Sequence, residues 1–158
     1  MDQITIRNMR VEEYATLKDL LYEAIYVPPG DAPPPRSVAD RPELRVYFQG
    51  FGSGPLDRAL AAVDGSRVVG SVWCRLMDDY GHIDDETPSL AAALYPEYRG
   101  QGFGTAFLNR LAAIAVERGC GRLEWWCLDW NKPSIDFYLG MGARPMSDWT
   151  VYLSLIHI

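Results

Sequence analysis

Pro96-Glu97-Tyr98-Arg99-Gly100-Gln101-Gly102-Phe103-Gly104-Thr105 is the stretch that most restricts what this chain can become. It stands between a short apolar run, Leu90 to Leu94, and a helical pattern of Phe107, Leu108, Leu111, Ala112, Ala115 and Val116. A strand that passes through glycines into a helix presents successive backbone N–H groups at the helix N-terminus. Their partial positive charge and direct hydrogen bonds suit a phosphate or pyrophosphate. A Walker loop would need Gly-Lys-Ser/Thr, and no lysine is present. Gly100, Gly102 and Gly104 are two apart, so the dinucleotide spacing G-x-G-x-x-G is not met either.

Elsewhere the pattern is one of strands and helices. Ile4 to Arg7 alternates as a half-buried strand. From Val11 the period becomes helical, with Tyr14, Leu17, Leu21, Ala24 and Ile25 on one face. Pro28-Pro29-Gly30 and Pro33-Pro34-Pro35 end that helix in a long stiff loop. A second helix is predicted over Pro42 to Gln49, closed by Gly50, Gly52 and Gly54. Ala59–Val63 and Val68–Met77 read as strands joined by a turn at Asp64-Gly65. The glycine-led helix stops near Gly119 and Gly121. Leu123–Trp130 is a Trp-rich strand, Pro133 opens a helix to about Gly140 with its exit at Gly142, and Trp149–Leu153 is the last strand. The expected order is β-α-α-β-β-β-α-β-α-β, an α/β (α+β) fold. Its sheet is mixed and mostly antiparallel, with six to seven strands and about four helices beside it.

Composition narrows the function. At 158 residues and 48% hydrophobic the chain suits one soluble domain, residues 1–153. Ser154-Leu155-Ile156-His157-Ile158 resembles translated adapter sequence and is left out of the functional reading. With 15 basic and 21 acidic residues, net −6, no basic patch for nucleic acid is expected. The acidic balance favours cationic substrates such as amines, although many cytoplasmic proteins are simply acidic. No apolar run spans a bilayer and the first residues do not read as a signal peptide, so a cytoplasmic location is expected. Cys74, Cys120 and Cys127 with His82 and His157 supply neither a disulfide framework nor a metal site. A homodimer is left open.

Arg99, Gly102 and Gly104 read R-x-x-G-x-G, and here the chain resembles the GCN5-related N-acetyltransferases, the GNAT superfamily. Leu128-Asp129-Trp130-Asn131-Lys132-Pro133-Ser134-Ile135-Asp136-Phe137-Tyr138, followed by Gly140-Met141-Gly142-Ala143, is similar to that superfamily's last block, and most similar to its diamine and polyamine branch. Arg41 to Tyr47 is closer to a different branch, which raises a mosaic sequence. The resemblance implies acetyl-CoA as co-substrate. Its pantetheine would lie on backbone groups of Ala92, Ala93 and Leu94. Its pyrophosphate would sit on Arg99, Gly100, Gln101, Gly102, Phe103, Gly104 and Thr105. Asn131 would complete the cofactor site.

By the same resemblance, a small-molecule primary amine attacks the acetyl carbonyl directly, a backbone N–H of the fourth strand stabilises the oxyanion, and Tyr138 protonates the leaving thiolate. Tyr138 also reads as a core aromatic, and Asn131 as a turn residue before Pro133. The amine needs a base, and the pattern departs here: Leu90 and Trp126 occupy the positions where related branches carry acids. Glu124, Asp84, Asp85 and Glu86 are alternatives that also read as surface charges, so no base is assigned. Trp126 and Trp130 line an acceptor pocket or are core. The competing function is a degenerate module that binds acyl-CoA as a sensor.

Overall fold

The β2–β3 hairpin is the centre of the fold. Strands β2 (Arg58–Asp64) and β3 (Arg67–Arg75) pair antiparallel across a two-residue loop. Gly65 in that loop has φ +57°, as such a tight reversal demands. Val68 through Trp73 are all buried, so β3 is covered on both faces. β1 (Thr5–Asn8) adds to the far side of β2, and β4 (Ser89–Leu94) to the far side of β3, giving the antiparallel order β1-β2-β3-β4. The computed structural model describes residues 4–79, 82, 84–119, 123, 125 and 127–145.

Each face of this sheet receives a helix because side chains alternate across it. On one face Leu17, Leu20 and Leu21 of α1 (Leu17–Ala24) join Ala61, Trp73 and Ala93. Leu20 belongs to the buried stripe, whereas Ala24, expected there, is exposed. Val11–Thr16, ahead of α1, is 3-10 rather than α. On the other face Phe107 of α3 (Phe103–Glu117) packs with Leu60, Ala62, Val69 and Val72. Gly70 of β3 lies opposite Leu94, where a Cβ would run into the Leu94 side chain and stand 2.8 Å from the Ala93 carbonyl oxygen. Glycine there lets β4 lie flat on its neighbour.

The second expected helix is shorter than its pattern: α2 is Pro42–Arg45, and the chain then continues in tight turns to Phe51. The carbonyls of Val46 and Gln49 turn outward to the Arg75 guanidinium at 3.2 and 2.8 Å, which competes with a longer helix. Contacts divide the chain into two compact units, residues 1–126 and 127–158. The second contains α4 (Lys132–Gly140). Four strands are present among the described residues. Of the strand expected over Leu123–Trp130, Leu123, Trp125, Cys127 and Leu128 lie in no strand. Asp129 and Trp130 form a turn closed by the Asn131 N–H to the Leu128 carbonyl at 2.9 Å. Its remaining residues, and Trp149–Leu153, lie outside the described residues.

Candidate functional site

The turn that carries the glycines is anchored by the residues just before them. Pro96–Tyr98 is a single 3-10 turn. Glu97 meets Arg67 at 3.2 Å, and the Tyr98 hydroxyl donates to Asp64 at 2.9 Å, so both hold the turn to the β2–β3 hairpin. That bond to a carboxylate pushes the Tyr98 phenol above its usual value. Arg99 donates from Nε to the Leu94 carbonyl at 3.0 Å and from its terminal nitrogen to the Glu23 carbonyl, at the end of α1, at 2.9 Å. The Glu23 carboxylate stands 3.5 Å from both Arg99 and Arg36. Arg99 is thus a brace between β4, α1 and the glycine turn.

Beyond this brace the glycines leave the turn open. Gly100 and Gly102 have φ of +72° and +87°, and a Cβ on either would meet nothing within 4 Å. The first bond of α3 runs from the Ala106 N–H to the Gly102 carbonyl at 3.0 Å. The N–H groups of Phe103, Gly104 and Thr105 therefore precede the helical ladder without a carbonyl partner in the helix. Gln101 bonds back to the Glu97 carbonyl at 2.8 Å. Open space, left-handed glycines and leading N–H groups together make a cradle for an anionic group.

The edge of β4 is readable from its register. The Tyr95 N–H bonds to the carbonyl of Val69, directly opposite it, at 3.0 Å. In an antiparallel ladder hydrogen-bonded pairs alternate with non-bonded ones, so Ala93 with Ser71 and Ala91 with Trp73 are also bonded pairs. Leu90, Ala92 and Leu94 consequently turn their N–H and C=O groups away from β3. Of the three residues expected to bind pantetheine through the backbone, Ala92 and Leu94 face that edge. Ala93 spends its backbone on Ser71 and buries its methyl in the core. The Leu94 carbonyl is already taken by Arg99.

In the second unit, Asn131 caps α4: its Oδ1 accepts the Ser134 N–H at 3.3 Å, which satisfies a donor that the helix itself leaves open. The turn reading of Asn131 is therefore correct. Tyr138 lies two turns further along, half-buried, with its ring 5.4 Å from that of Phe137. Burial, and secondarily the neighbouring Cys127 thiol, raise its phenol above 10. A phenol so placed stays protonated at neutral pH and can donate.

The expected acids fare unevenly. Asp84 closes its own turn by accepting the N–H groups of Glu86 and Thr87 at 2.9 and 2.7 Å. Those bonds hold its carboxyl below the ordinary range. Asp85 and Glu86 are exposed. Glu124 and Trp126 lie outside the described residues, and Trp130 is exposed. Sequence reasoning passed over Asp79, which accepts the Tyr47 hydroxyl at Oδ2 and the Ser89 hydroxyl at Oδ1, both at 2.8 Å. The Asp78-Asp79 pair reads as a solvated turn, and nothing local signals partners 32 and 10 residues away. Among the described residues no group of three or more His, Cys, Asp or Glu is arranged to hold a metal.

Residues 20–143 match the acetyltransferase (GNAT) family. Thialysine N-epsilon-acetyltransferase of Sus scrofa is 42% identical over 53 residues, 34% of this chain and 31% of that protein. L-ornithine N5-acetyltransferase of Arabidopsis thaliana is 46% identical over 52 residues, 33% of this chain and 23% of that protein. The chain thus matches between about a quarter and a third of the length of these relatives. Among solved structures, a predicted acetyltransferase of Clostridium acetobutylicum with acetyl-CoA superposes with a TM-score of 0.65. It is 20% identical, over 98% of this chain and 97% of that one. At that identity the likeness is one of fold.

Proposed function

Since the chain belongs to the GNAT acetyltransferase family, we propose that it is a cytoplasmic, single-domain N-acetyltransferase moving the acetyl group of acetyl-CoA to a primary amine of a small molecule. The observation that carries this reading is the cradle at Gly100–Thr105. Two left-handed glycines there leave open space before the first N–H groups of α3. The pyrophosphate binds these N–H groups, and Arg99 keeps the turn in place. Ala92 and Leu94 offer backbone groups to the pantetheine along the open edge of β4. A backbone N–H of β4 bonds the oxyanion at the reacting carbonyl.

The reaction is a direct attack. The amine lone pair forms the new N–C bond, the C–S bond breaks, and Tyr138 gives its phenolic proton to the departing thiolate. Tyr138 then recovers a proton from the nitrogen that has become an amide. The thialysine and ornithine enzymes among the relatives support a small amine, with free amino acids and diamines ahead of protein N-termini.

Thermal shift against acetyl-CoA, ATP and NAD, followed by thiol release with a panel of amines, tests the reading. A ligand that binds only the folded chain stabilises it by about 2.7 kcal/mol at roughly 100 times its dissociation constant. Acetyl-CoA should raise the midpoint, and a small amine should release thiol. A shift with ATP or NAD alone would overturn the proposal. Stabilisation by acetyl-CoA without turnover of any amine would favour an acyl-CoA sensor.

A further inference from the structure

The reacting amine is one end of an acceptor whose other end also needs a place. We propose that Arg45 holds a carboxylate at that other end. The acceptor is then an amino acid, acetylated on the amine of its side chain, and the matching diamine is passed over. The proposal rests on the acyl-transfer reading above.

A cavity of about 480 Å³ opens between the turns after α2 and the end of β3, lined among others by Arg45, Gln49, Arg75, Met77 and Asp78. The chain carries −6 overall, yet here two arginines meet one aspartate. Arg75 is committed: it donates to the Val46 and Gln49 carbonyls at 3.2 and 2.8 Å and stands 3.4 Å from Asp57. The Asp78 side chain is exposed, 3.9 Å from the His82 ring. The Arg45 guanidinium has no hydrogen bond or ion pair among the described residues. Asp40, the acid whose charge it feels, is already bonded to Lys18 at 2.6 Å. The Gln49 N–H bonds to the Arg45 carbonyl at 2.8 Å, so the Gln49 amide stands one turn from the guanidinium and lines the same cavity. A planar guanidinium with its donors unspent, beside an amide, matches a carboxylate, which accepts two parallel N–H bonds.

The register of the sheet relates this cavity to the reaction. β4 runs from Ser89 to Leu94 and then into the glycine cradle. A thioester whose phosphates sit in the cradle and whose arm follows the open β4 edge has its reacting end toward Ser89. Ser89 pairs with Arg75 of the cavity wall. From the end of β3 to the outer side of β4 is two strand spacings, roughly 10 Å. A carboxylate and an amine joined by several methylenes bridge that gap, whereas an α-amine sits too close to its own carboxylate. A diamine would bring a second ammonium to Arg45, and like charges repel. One residue thus draws in one acceptor and turns away the other.

The experiment measures thiol release by wild type, Arg45→Gln and Arg45→Lys on two matched pairs, ornithine with putrescine and lysine with cadaverine. The members of each pair differ only in the carboxylate. Melting temperature and acetyl-CoA affinity should match wild type in both variants, since Arg45 is exposed. Wild-type kcat/KM should be at least about tenfold higher for the amino acid of whichever pair is turned over. Arg45→Gln should raise the KM of the amino acid about 10- to 100-fold, change its kcat little and leave the diamine no worse. Arg45→Lys keeps the charge and loses the fork, so it should recover part of the difference. A structural role would cost both members of a pair alike. Equal use of the two members by wild type, or an Arg45→Gln loss that is absent or equal within a pair, would overturn the assignment while acyl transfer stands. Thiol release only with amines outside both pairs would do the same. No thiol release by the wild type with any amine removes acyl transfer and this assignment together.

Discussion

The Arg99 Nε–H donates to the Leu94 carbonyl at 3.0 Å, and this bond ties the last residue of β4 to the residue ahead of the glycines. The same guanidinium reaches the Glu23 carbonyl and carboxylate at 2.9 and 3.5 Å. The arginine of the R-x-x-G-x-G pattern therefore sets where the cradle stands relative to the sheet edge.

Arg99→Ala should accordingly weaken acetyl-CoA through disorder of the turn. Losing charge-assisted hydrogen bonds of this kind costs about 1.5–3 kcal/mol each where they are buried. At this half-exposed site roughly a tenfold rise in dissociation constant is expected. The kcat at saturating acetyl-CoA should stay within about threefold, because the reacting atoms are untouched. Arg99→Lys should recover little, since an ammonium cannot span the two acceptors as a planar fork does. Calorimetric titration with acetyl-CoA decides it; unchanged affinity in Arg99→Ala would show that the cradle needs no brace.

Gly102→Val separates backbone strain from lost binding. With φ at +87°, a β-branched residue costs roughly 1–2 kcal/mol, yet no protein atom lies within 4 Å of the added Cβ. The chain should fold with a melting temperature lower by a few degrees, while acetyl-CoA affinity falls at least about 100-fold. Gly30 is a matched control, with φ +96° and equally open space. Gly30→Val should show the same thermal cost with normal affinity. Equal affinities in the two variants would place the pyrophosphate elsewhere.

What could be read from the sequence was local. The Gly100–Thr105 turn, the Asp64-Gly65 reversal and the helix after Phe103 are each written in consecutive residues, where φ preference and periodicity act directly. The same locality misjudged α2: Arg75 lies 30 positions beyond Arg45, so no window around Pro42 shows that the Val46 and Gln49 carbonyls have an outside partner. It also hid Asp79, whose partners arrive from other elements. The edge of β4 was half legible. The strand was evident, but whether Ala92 or Ala93 faces the edge depends on pairing with β3, which alternation in an alanine run cannot disclose.

Glu13 offers a pH test of the amino-terminal half. Its carboxylate makes a two-pronged pair with Arg7 at 2.6 and 2.8 Å and accepts the Arg10 N–H at 2.8 Å. The Arg7 hydrogen bond is the chief cause that lowers its pKa from 4.5 to about 2. A depressed folded pKa stabilises the chain fully above the unfolded value, and the gain is lost as pH falls from about 4.5 through about 2. Glu13→Gln should therefore cost on the order of 1–3 kcal/mol at pH 7. Its deficit against wild type should close as pH approaches 2. Denaturant melts at pH 7, 4 and 2.5 measure this, and a deficit that does not shrink with pH would place the cost in packing.

Tyr138→Phe tests the leaving-group step. The change keeps the ring, and so its contact with Phe137, and removes only the hydroxyl. If that hydroxyl protonates the thiolate, its benefit appears in the transition state and not in the bound ground state. The kcat should then fall while acetyl-CoA affinity stays constant. General acid catalysis is worth about 10²- to 10⁴-fold, and a thiol that ionises near pKa 8.5 leaves easily, so about 100-fold is expected. The pH dependence has a definite sign. Burial raises the Tyr138 phenol above its ordinary value, so the wild type should hold its rate through neutral and mildly alkaline pH and lose it only as the phenol ionises. The variant lacks an ionising group and should show no such limb, so the gap between the two narrows at the alkaline end. Wild-type kcat in Tyr138→Phe on its best amine would remove Tyr138 from the reaction and leave solvent to protonate the thiolate.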